Sequence, residues 1–408
     1  MRHDADALVV GAGPAGSTLA RLLAVAGLRV LVLDREPGPV FKIGESLLPA
    51  GVALCHELGL TAELLSGPYL TKYAARFVLT DSGEEERYPF AEGLRGGAGR
   101  SAYQVKRADF DALLQRHACA GGAEFRFGAR VTDIGLDDER ATVLLESGER
   151  LQAAAVVDAS GQGHLLSRRL GLRTAIPGLA KVGLFSHFEG LPRRTGEEEG
   201  DITVLWNADY WVWVIPFKDG TTSMGVVGDP AFIQRAGKHD DERFANLCAA
   251  SASHRELLAA RRQLFPLQRR ADFSYECARL AGPRFVLVGD AAGFIDPLFS
   301  TGVFLAQQSA FLAARALVPA LRANRALSAE EQHAYTTTQH TAIRRFLALV
   351  KSSYENRLIE TAVRSRRRRG MRSAFISLLA GDVFDEANPL IGMGVLANIG
   401  SEPASTPG

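Results

Sequence analysis

A glycine-rich turn near the start of the chain restricts the fold more than any other feature of the sequence. The apolar run ALVV leads to Gly11, Gly13 and Gly16 at GxGxxG spacing, and an amphipathic stretch then leads to a second apolar run that ends in Asp34. This order is typical of a β-α-β unit whose turn and helix N-terminus bind a pyrophosphate, while the acid accepts hydrogen bonds from a ribose. The sequence therefore predicts an α/β fold with a Rossmann-like dinucleotide-binding domain.

A second segment indicates which dinucleotide is bound. Residues 284–306, RFVLVGDAAGFIDPLFSTGVFLA, combine an apolar strand, the pair Gly289-Asp290 and a loop that opens a helix. An acid at this strand end can bind a ribitol hydroxyl, and the N-terminus of the helix can lie under the edge of an isoalloxazine ring. An NAD enzyme needs no such element, so the predicted cofactor is FAD.

Further segments fit the same layout. The stretch YQVKRADFDALLQRHA (103–118) carries Arg107 at a predicted helix start, and a strand around Val131 and the segment VVDASG (156–161) follow. Together they resemble the FAD-dependent aromatic hydroxylases and their relatives. The resemblance implies that Arg107 contacts FAD, although it could instead form a structural salt bridge with Asp111. The cofactor contacts that we expect are Gly11, Gly13, Ala15, Gly16, Asp34, Ser46, Gln104, Arg107, Val131, Asp290, Gly302 and Val303.

This resemblance also implies a domain organisation, because the FAD-binding segments of such proteins are interleaved along the chain. We expect a discontinuous FAD-binding domain with an inserted, mostly β substrate-side sheet, a helical C-terminal region and a disordered tail. The corresponding ranges are 1–174 with 275–320, 175–274, 321–400 and 401–408.

Composition restricts the partners and the compartment. The chain has 47 basic and 46 acidic residues, so no overall charge attracts it to nucleic acid or to an acidic membrane. Its four cysteines are scattered without a CxxC pair, which predicts neither a metal site nor disulfides and suits a reducing cytoplasm. We see no secretion signal and no apolar run close to the roughly twenty residues that a bilayer requires, so we expect a cytoplasmic protein.

Residues 211–217, WVWVIPF, contain two of the three tryptophans of the chain. On a strand Trp211 and Trp213 point to the same face, because side chains alternate with a period of two. Pro216 cannot donate to a strand ladder, which places this aromatic wall at a strand end or edge. A wall of two indoles can line a site, and a packed core face is the structural alternative.

The motif W-x-W-x-I-P in an FAD protein of this layout resembles the flavin-dependent halogenases. Three more segments agree: KIGESLLPA (42–50), YLTKYAARF with its lysine at position 72, and DPLFSTG (296–302). The resemblance covers most of the first 320 residues, and the four motifs are specific only in combination. It implies a halogenase that uses reduced FAD, O₂ and chloride or bromide on an electron-rich aromatic ring, a phenol or a pyrrole.

The resemblance implies a role for each motif. Trp211, Trp213 and Pro216 would separate the flavin from the substrate, so that a halide ion reacts first. Lys72 would carry the oxidised halogen, either by donating a hydrogen bond to hypohalous acid or by becoming a haloamine. A halide would bind in the loop that contains Pro297, Ser300, Thr301 and Gly302, where the backbone N–H groups of the helix start at Thr301-Gly302 suit an anion. Asp296 could tune the flavin or cap the helix.

Other features concern partners. The chain is shorter than the tryptophan-specific halogenases and lacks a recognisable counterpart of their additional glutamate, so it is more similar to the branch that acts on phenols and pyrroles, sometimes on a carrier protein. An acidic carrier could meet the basic segment that contains Arg364, Arg366, Arg367, Arg368, Arg369 and Arg372, unless this is a solvated face. No second dinucleotide motif is visible, which implies that a separate NAD(P)H-dependent reductase supplies the reduced flavin.

Two alternatives on the same scaffold stay open at this stage. One is a flavin-dependent reductase of the geranylgeranyl reductase type, for which Lys72 and Trp211 have no evident use. The other is an aromatic monooxygenase, for which the indole wall would obstruct direct oxygen transfer. The sequence does not indicate the ring and position that are halogenated, the number of halogens added or the oligomeric state.

Overall fold

The structure is a computed structural model that describes residues 4–94, 99–249, 261–271, 274–365 and 369–392. The predicted disordered tail, 401–408, lies outside these ranges, as do residues 393–400 of the predicted helical region. The segment with Arg366, Arg367 and Arg368 is outside them as well.

The first of two large sheets is built around the predicted β-α-β unit. Its strand order is Ala281–Gly282, Phe285–Leu287, Arg150–Asp158, Ala5–Val10, Val30–Leu33 and Glu124–Arg126, and Val131–Leu136 and Ala141–Leu145 extend it through Arg150–Asp158. From Phe285–Leu287 to Glu124–Arg126 the neighbouring strands are parallel. The predicted α/β class is therefore confirmed, and the order of strands reverses beside Ala5–Val10, where ligands of such sheets bind.

The second large sheet is mostly antiparallel and carries the two tryptophans. Its strand order is Arg262–Gln263, Val182–Glu189, Thr222–Gly228, Tyr210–Pro216, Ile202–Trp206, Ala74–Leu79 and Glu85–Pro89, and Gln268–Ala271 also pairs with Val182–Glu189. Two small sheets accompany it, one of Arg173–Ala175, Tyr275–Cys277 and Gly293–Phe294 and one of Leu70–Lys72 and Ala102–Gln104.

This sheet departs from the expected boundaries at two points. The strands Ala74–Leu79 and Glu85–Pro89 belong to it, although a boundary at residue 174 placed them with the FAD-binding segments. The parallel pairing of Ile202–Trp206 with Ala74–Leu79 joins parts of the chain that are distant in sequence, and local patterns carry no signal for such pairing. The predicted β insertion also contains two helices, Pro230–Arg235 and Asp240–Cys248.

Helices cover both sheets. The described α-helices, besides the two just named, are Pro14–Val25, Pro49–Glu57, Thr61–Ser66, Arg107–Ala120, Leu165–Arg169, Gly302–Arg322, Ala329–Glu355, Leu358–Arg364, Arg369–Leu379 and Pro389–Gly392. Short 3₁₀ turns lie at Phe90–Glu92, Gly161–Gly163, Gly196–Glu198, Gly289–Ala291 and Pro297–Phe299. The predicted helical C-terminal region thus starts at Ala329, where Ser328 and Glu331 form a reciprocal capping box.

The helix Gly302–Arg322 packs against other helices. It contacts Pro14–Val25, Ala329–Glu355 and Pro49–Glu57. Contrary to our expectation, this helix is long and apolar enough to cross a membrane by length and composition, with a mean hydropathy of 1.2, but 67% of its apolar window is buried inside the protein. Burial in the core accounts for its composition.

The glycine turn is held by contacts between backbone atoms. A Cβ atom added at Gly16 would lie 1.9 Å from the carbonyl oxygen of Gly11, and one added at Gly11 would lie 2.3 Å from the carbonyl oxygen of Ala159. The helix, the first strand and the strand Arg150–Asp158 therefore approach more closely than side chains would allow.

We predict that Gly16→Ala destabilises the protein and that Gly13→Ala does so much less. The new methyl group at Gly16 must displace backbone, which costs about 1–3 kcal/mol or more in a packed region, whereas no atom lies within 4 Å of a Cβ at Gly13. Urea unfolding of the cofactor-free variants, followed by circular dichroism, measures the difference. Equal free energies of unfolding for the two variants would contradict it.

Candidate active site

A cavity of about 850 Å³ extends from the glycine turn to the tryptophan strand. Many of the residues singled out in the sequence line it together, although they come from all parts of the first 303 positions. These residues are Gly11, Gly13, Ala15, Asp34, Ser46, Arg107, Val131, Trp211, Trp213, Asp290, Pro297, Ser300, Gly302 and Val303.

Five predicted site residues do not line this cavity. Gly16 lies beneath the glycine turn, and Thr301 is buried behind the loop that precedes its helix. Gln104 is buried and donates a hydrogen bond to the carbonyl of Gly200 at 2.8 Å. Pro216 ends the tryptophan strand. Lys72 donates a hydrogen bond to Ser46, which does line the cavity.

The nucleotide end of the cavity has the chemistry that the sequence predicted. The Oδ2 atom of Asp34 accepts a hydrogen bond from the N–H of Ala12 at 2.6 Å, and its Oδ1 atom accepts one from the N–H of Glu36 at 2.8 Å. These bonds aim the carboxylate, and each oxygen retains a lone pair for a ribose hydroxyl. No side chain caps the helix Pro14–Val25, so its first N–H groups are free for an anion.

These residues fit FAD. The space beside Gly13 is open, and the buried hydroxyl of Ser160, which also lines the cavity, has no hydrogen-bond partner within the described part of the chain. The glycine turn and the N-terminus of Pro14–Val25 would hold the pyrophosphate, and Asp34 a ribose. Asp290, at the end of the strand Phe285–Leu287, would hold the ribitol chain.

Arg107 and Asp111 form the salt bridge that the sequence left open. The Nε atom of Arg107 donates to Oδ1 of Asp111 at 2.9 Å and Nη2 donates to Oδ2 at 2.9 Å, while Nη1 donates to the carbonyl of Ile43. Arg107 also lines the cavity, so the salt bridge leaves the predicted contact with FAD possible. Burial raises the pKa of the neighbouring Asp290 to about 6, and Arg107 partly offsets this effect.

The two tryptophans form one wall of the cavity, as predicted. The ring centroids of Trp211 and Trp213 lie 5.9 Å apart, and both side chains are buried on the same face of a central strand. The indole N–H of Trp213 donates to Ser223 Oγ at 3.0 Å. On the neighbouring strand only a glycine fits at position 225, because a Cβ atom there would lie 2.2 Å from the Trp213 ring.

A loop that could hold an anion faces the same cavity. The 3₁₀ turn Pro297–Phe299 ends at Ser300, whose φ of +57° is unusual for a residue other than glycine. Thr301 precedes the helix Gly302–Arg322, and its side chain makes no capping bond. The first N–H groups of this helix therefore have no intrahelical acceptor and no side-chain cap, which suits a small anion.

Asp296 caps the 3₁₀ turn rather than the α-helix. It is 1% exposed, and its Oδ1 atom accepts a hydrogen bond from the N–H of Leu298 at 2.9 Å. Burial raises the pKa of Asp296 to about 6, and the hydrogen bonds from Leu298 and Tyr354 partly oppose this shift. The carboxylate therefore helps to shape the loop that ends at Ser300.

Lys72 is a buried lysine, not a solvated one. Its side chain is 1% exposed, and its Nζ atom donates to Ser46 Oγ at 2.9 Å and to the carbonyl of Leu47 at 3.0 Å. Nζ also lies 5.2 Å from the ring centroid of Phe90. Burial lowers the pKa of Lys72 to about 7, which Asp201 partly offsets. Since Ser46 lines the cavity, one hydrogen bond connects the amine of Lys72 to the cavity lining.

Sequence reasoning missed two groups near the cavity. Glu45, buried in the cavity wall, pairs with His187 at a distance of 2.7 Å from Oε1 to Nε2. Tyr354, from the C-terminal helical region, hydrogen-bonds to Trp211. Both contacts join segments more than 140 residues apart, and no local motif encodes them. Within the described ranges, no cluster of His, Cys, Asp and Glu could hold a metal ion.

Comparisons with known proteins agree with this arrangement. The model of the FAD-binding domain family matches residues 4–349. The 1H-pyrrole-2-carbonyl-(peptidyl-carrier protein) chlorinase of Pseudomonas fluorescens is 31% identical, over 94% of this chain and 90% of that protein. Among solved structures, the flavin-dependent brominase Bmp2 has a TM-score of 0.86 at 27% identity, over 97% of this chain and 98% of that one. A flavoprotein/dehydrogenase from Cytophaga hutchinsonii has a TM-score of 0.88 at 28% identity, over 95% of both chains.

We predict that Lys72 makes stability depend on pH in a definite direction. Its pKa in the folded protein, about 7, lies below its ordinary value of 10.5, so between these values the unfolded chain binds one proton more than the folded chain. The free energy of unfolding of the wild type should therefore rise from pH 7 to pH 10 relative to that of Lys72→Met.

Urea unfolding at several pH values measures this difference. Lys238→Met, at an exposed position, controls for the loss of a lysine as such. A constant difference between the wild type and Lys72→Met over the whole range would show that Lys72 is charged in the folded protein throughout.

Proposed function

The chain belongs to the FAD-binding domain family and is a flavin-dependent halogenase of aromatic rings, and from this premise we propose how its residues perform the reaction and which substrate it takes. One observation carries the proposal. One cavity is lined by a wall of two indoles, an uncapped helix start and the nucleotide-binding turn, and Ser46 in its lining accepts a hydrogen bond from a buried lysine with a lowered pKa. The reductase and monooxygenase alternatives are not favoured, since neither requires this combination.

The halide would bind at the loop before Gly302–Arg322. Bound FAD, in its reduced form, supplies the electrons that allow O₂ to oxidise the halide. The free N–H groups at the helix start would hold an anion without a competing side-chain cation, and Pro297 and Ser300 form the turn beside them, in which the N–H of Ser300 donates to the carbonyl of Pro297. Chloride and bromide have the same charge and differ in radius, so either ion is compatible with this proposal.

Trp211 and Trp213 would keep the organic substrate away from the flavin. An aromatic ring in direct contact with the flavin would accept oxygen, which is the outcome in a hydroxylase. The indoles fill that position on the face of the second sheet, and the contact with Gly225 fixes the plane of Trp213. The wall thus favours the reaction of a small ion over that of a large ring.

Lys72 would deliver the halogen to the substrate. Near its pKa of about 7 the amine is present in both forms, so the neutral form can accept an electrophilic halogen and the charged form can donate a hydrogen bond to hypohalous acid. Ser46 lies between Lys72 and the cavity and is the first group that such a species would meet. Both routes require that water be excluded, and the burial of Lys72 provides this.

We propose a phenol or pyrrole ring as the substrate, held on a carrier protein. The support is the identity to the pyrrole-carrier-protein chlorinase over 94% of this chain. Two arginines of the basic segment are not supported as docking residues, because Arg364 pairs with Glu84, and Arg372 pairs with Glu86 and Glu92. Those guanidinium groups already neutralise acidic groups of the same chain.

We further propose that a separate flavin reductase supplies the reduced FAD. The dinucleotide motif at Gly11–Gly16 would be occupied by FAD itself, and the sequence contains no second motif of this kind for NAD(P)H. Halogenation sustained by NADPH without an added reductase would contradict this proposal.

The central prediction is that halogenation depends on Lys72 and that flavin oxidation does not. Mass spectrometry of reactions with FAD, a reductase, NADH and chloride or bromide, over a panel of phenols and pyrroles, should show the halogen isotope pattern with the wild type. Lys72→Ala should reduce this product about 100-fold or more, while reduced FAD is still oxidised by O₂. Lys218→Ala, at a lysine on the surface, is the matched control. Oxygenated or reduced products that are insensitive to Lys72 would contradict the proposal.

A second prediction concerns the carrier. The same pyrrole-2-carboxylate should be halogenated much faster as a carrier thioester than as the free acid, because tethering raises its effective concentration at the site. The measurement compares kcat/KM for the two forms at equal halide concentration. Equal values would show that the carrier is not recognised.

A further inference from the structure

A chain of hydrogen bonds joins the tryptophan wall, Trp211 and Trp213, to the proposed halide site at residues 297–302, here called the halide loop. The indole N–H of Trp211 donates to the hydroxyl of Tyr354 at 2.8 Å, and this hydroxyl donates to Oδ2 of Asp296 at 3.1 Å. The other carboxylate oxygen of Asp296 accepts the N–H of Leu298 inside the turn. One phenol oxygen therefore connects two parts of the site that lie on different sheets and loops.

The phenol is suited to this position. A protonated hydroxyl can accept one hydrogen bond while it donates another, and burial together with the nearby Asp296 raises the pKa of Tyr354, so its proton is present at neutral pH. Its ring lies 4.3 Å from Lys181 Nζ and 5.5 Å from the ring of Trp206. These contacts restrict the ring, so the direction of the hydroxyl is fixed by packing.

The residues at both ends of this chain are buried. Trp211 and Asp296 are each 1% exposed, and a buried polar group without a partner is costly. If the phenol oxygen were absent, the indole N–H and the carboxylate would each need a new partner. The carboxylate of Asp296 also holds the turn Pro297–Phe299 through Leu298, so a movement of Asp296 towards a new partner would change the backbone of the turn, which ends at Ser300.

We propose that Tyr354 is a positioning residue that fixes the halide loop against the tryptophan wall. This inference rests on the proposed function, because it takes Pro297 to Gly302 as the halide site. It adds a residue from the C-terminal helix Ala329–Glu355, which contains none of the motifs. Tyr354 itself is absent from the lining of the cavity and acts through Trp211 and Asp296.

Tyr354→Phe tests the inference, because it removes one oxygen atom and keeps the ring. The KM for halide should rise about 10-fold, as expected for a buried hydrogen-bonded group that loses its partner. The halogenated product formed per reduced FAD should fall while the oxidation of reduced FAD continues and releases H₂O₂. The affinity for FAD should stay within about twofold, since Tyr354 does not line the cavity that FAD would occupy.

Tyr335→Phe is the matched control. Tyr335 lies on the same helix, is a buried phenol, and donates to the carbonyl of Leu287 at 2.6 Å, away from the halide loop. The halide KM of Tyr335→Phe should equal that of the wild type. A purely structural role of Tyr354 would instead lower the thermal stability of Tyr354→Phe and leave its ratio of halide KM to kcat unchanged.

A second substitution in the same hydrogen-bond chain, Asp296→Ala, keeps the test from depending on Tyr354→Phe alone. Asp296→Ala should raise the halide KM at least as much as Tyr354→Phe, and the double variant should add less than about twofold, since groups in one network are not additive. A halide KM for Tyr354→Phe within twofold of wild type, or full additivity in the double variant, would overturn the inference.

The result is distinguishable from a failure of the proposed function. If the wild type forms no halogenated product, the proposed function fails, and halide binding is then titrated through the visible spectrum of FAD bound to wild type and Tyr354→Phe. Weaker binding of bromide to the variant would still support the link to the loop. Equal binding, or no binding by either protein, would reject it.

Discussion

Close contact between backbone atoms at the glycine turn determines where every other part of the site lies. The Gly11 carbonyl leaves no space for a side chain at Gly16, and the Ala159 carbonyl leaves none at Gly11. The first helix can therefore begin, and two parallel strands can end, at one crevice, at the point where the strand order reverses. The helix Gly302–Arg322 packs against that first helix, so its N-terminus, and with it the halide loop, is placed relative to the nucleotide-binding turn.

The second sheet supplies the other half of the cavity. Its central strand presents both indoles on one face, because a strand alternates its side chains and a neighbouring strand has a glycine opposite Trp213. Apolar burial stabilises this face whether or not a ligand is bound. The proposed function thus uses a face that the fold needs in any case, so the packed core face and the proposed screen are the same surface.

The sequence predicted those parts of the fold and site that local patterns encode. The β-α-β unit, the start of the helix at Arg107 and the common face of Trp211 and Trp213 each follow from spacing over a few residues. Three features could not be predicted in this way. The addition of Ala74–Leu79 to the second sheet, the Glu45–His187 pair and the Tyr354 link all join distant segments. Their residues have no distinctive neighbours in the sequence, so only the folded chain reveals them.

The position of Lys72 satisfies two requirements of its proposed role as the halogen carrier. A lysine in water at neutral pH is almost entirely charged and cannot act as a nucleophile, whereas a lysine buried without partners would destabilise the fold. Here burial lowers the pKa to about 7, and the hydroxyl of Ser46 and the carbonyl of Leu47 satisfy the amine in either form. Because Ser46 itself lines the cavity, the amine is shielded from water and yet one hydrogen bond from the cavity lining. In the proposed mechanism, selectivity for the aromatic ring depends on what reaches this lysine, not on direct contact with the flavin.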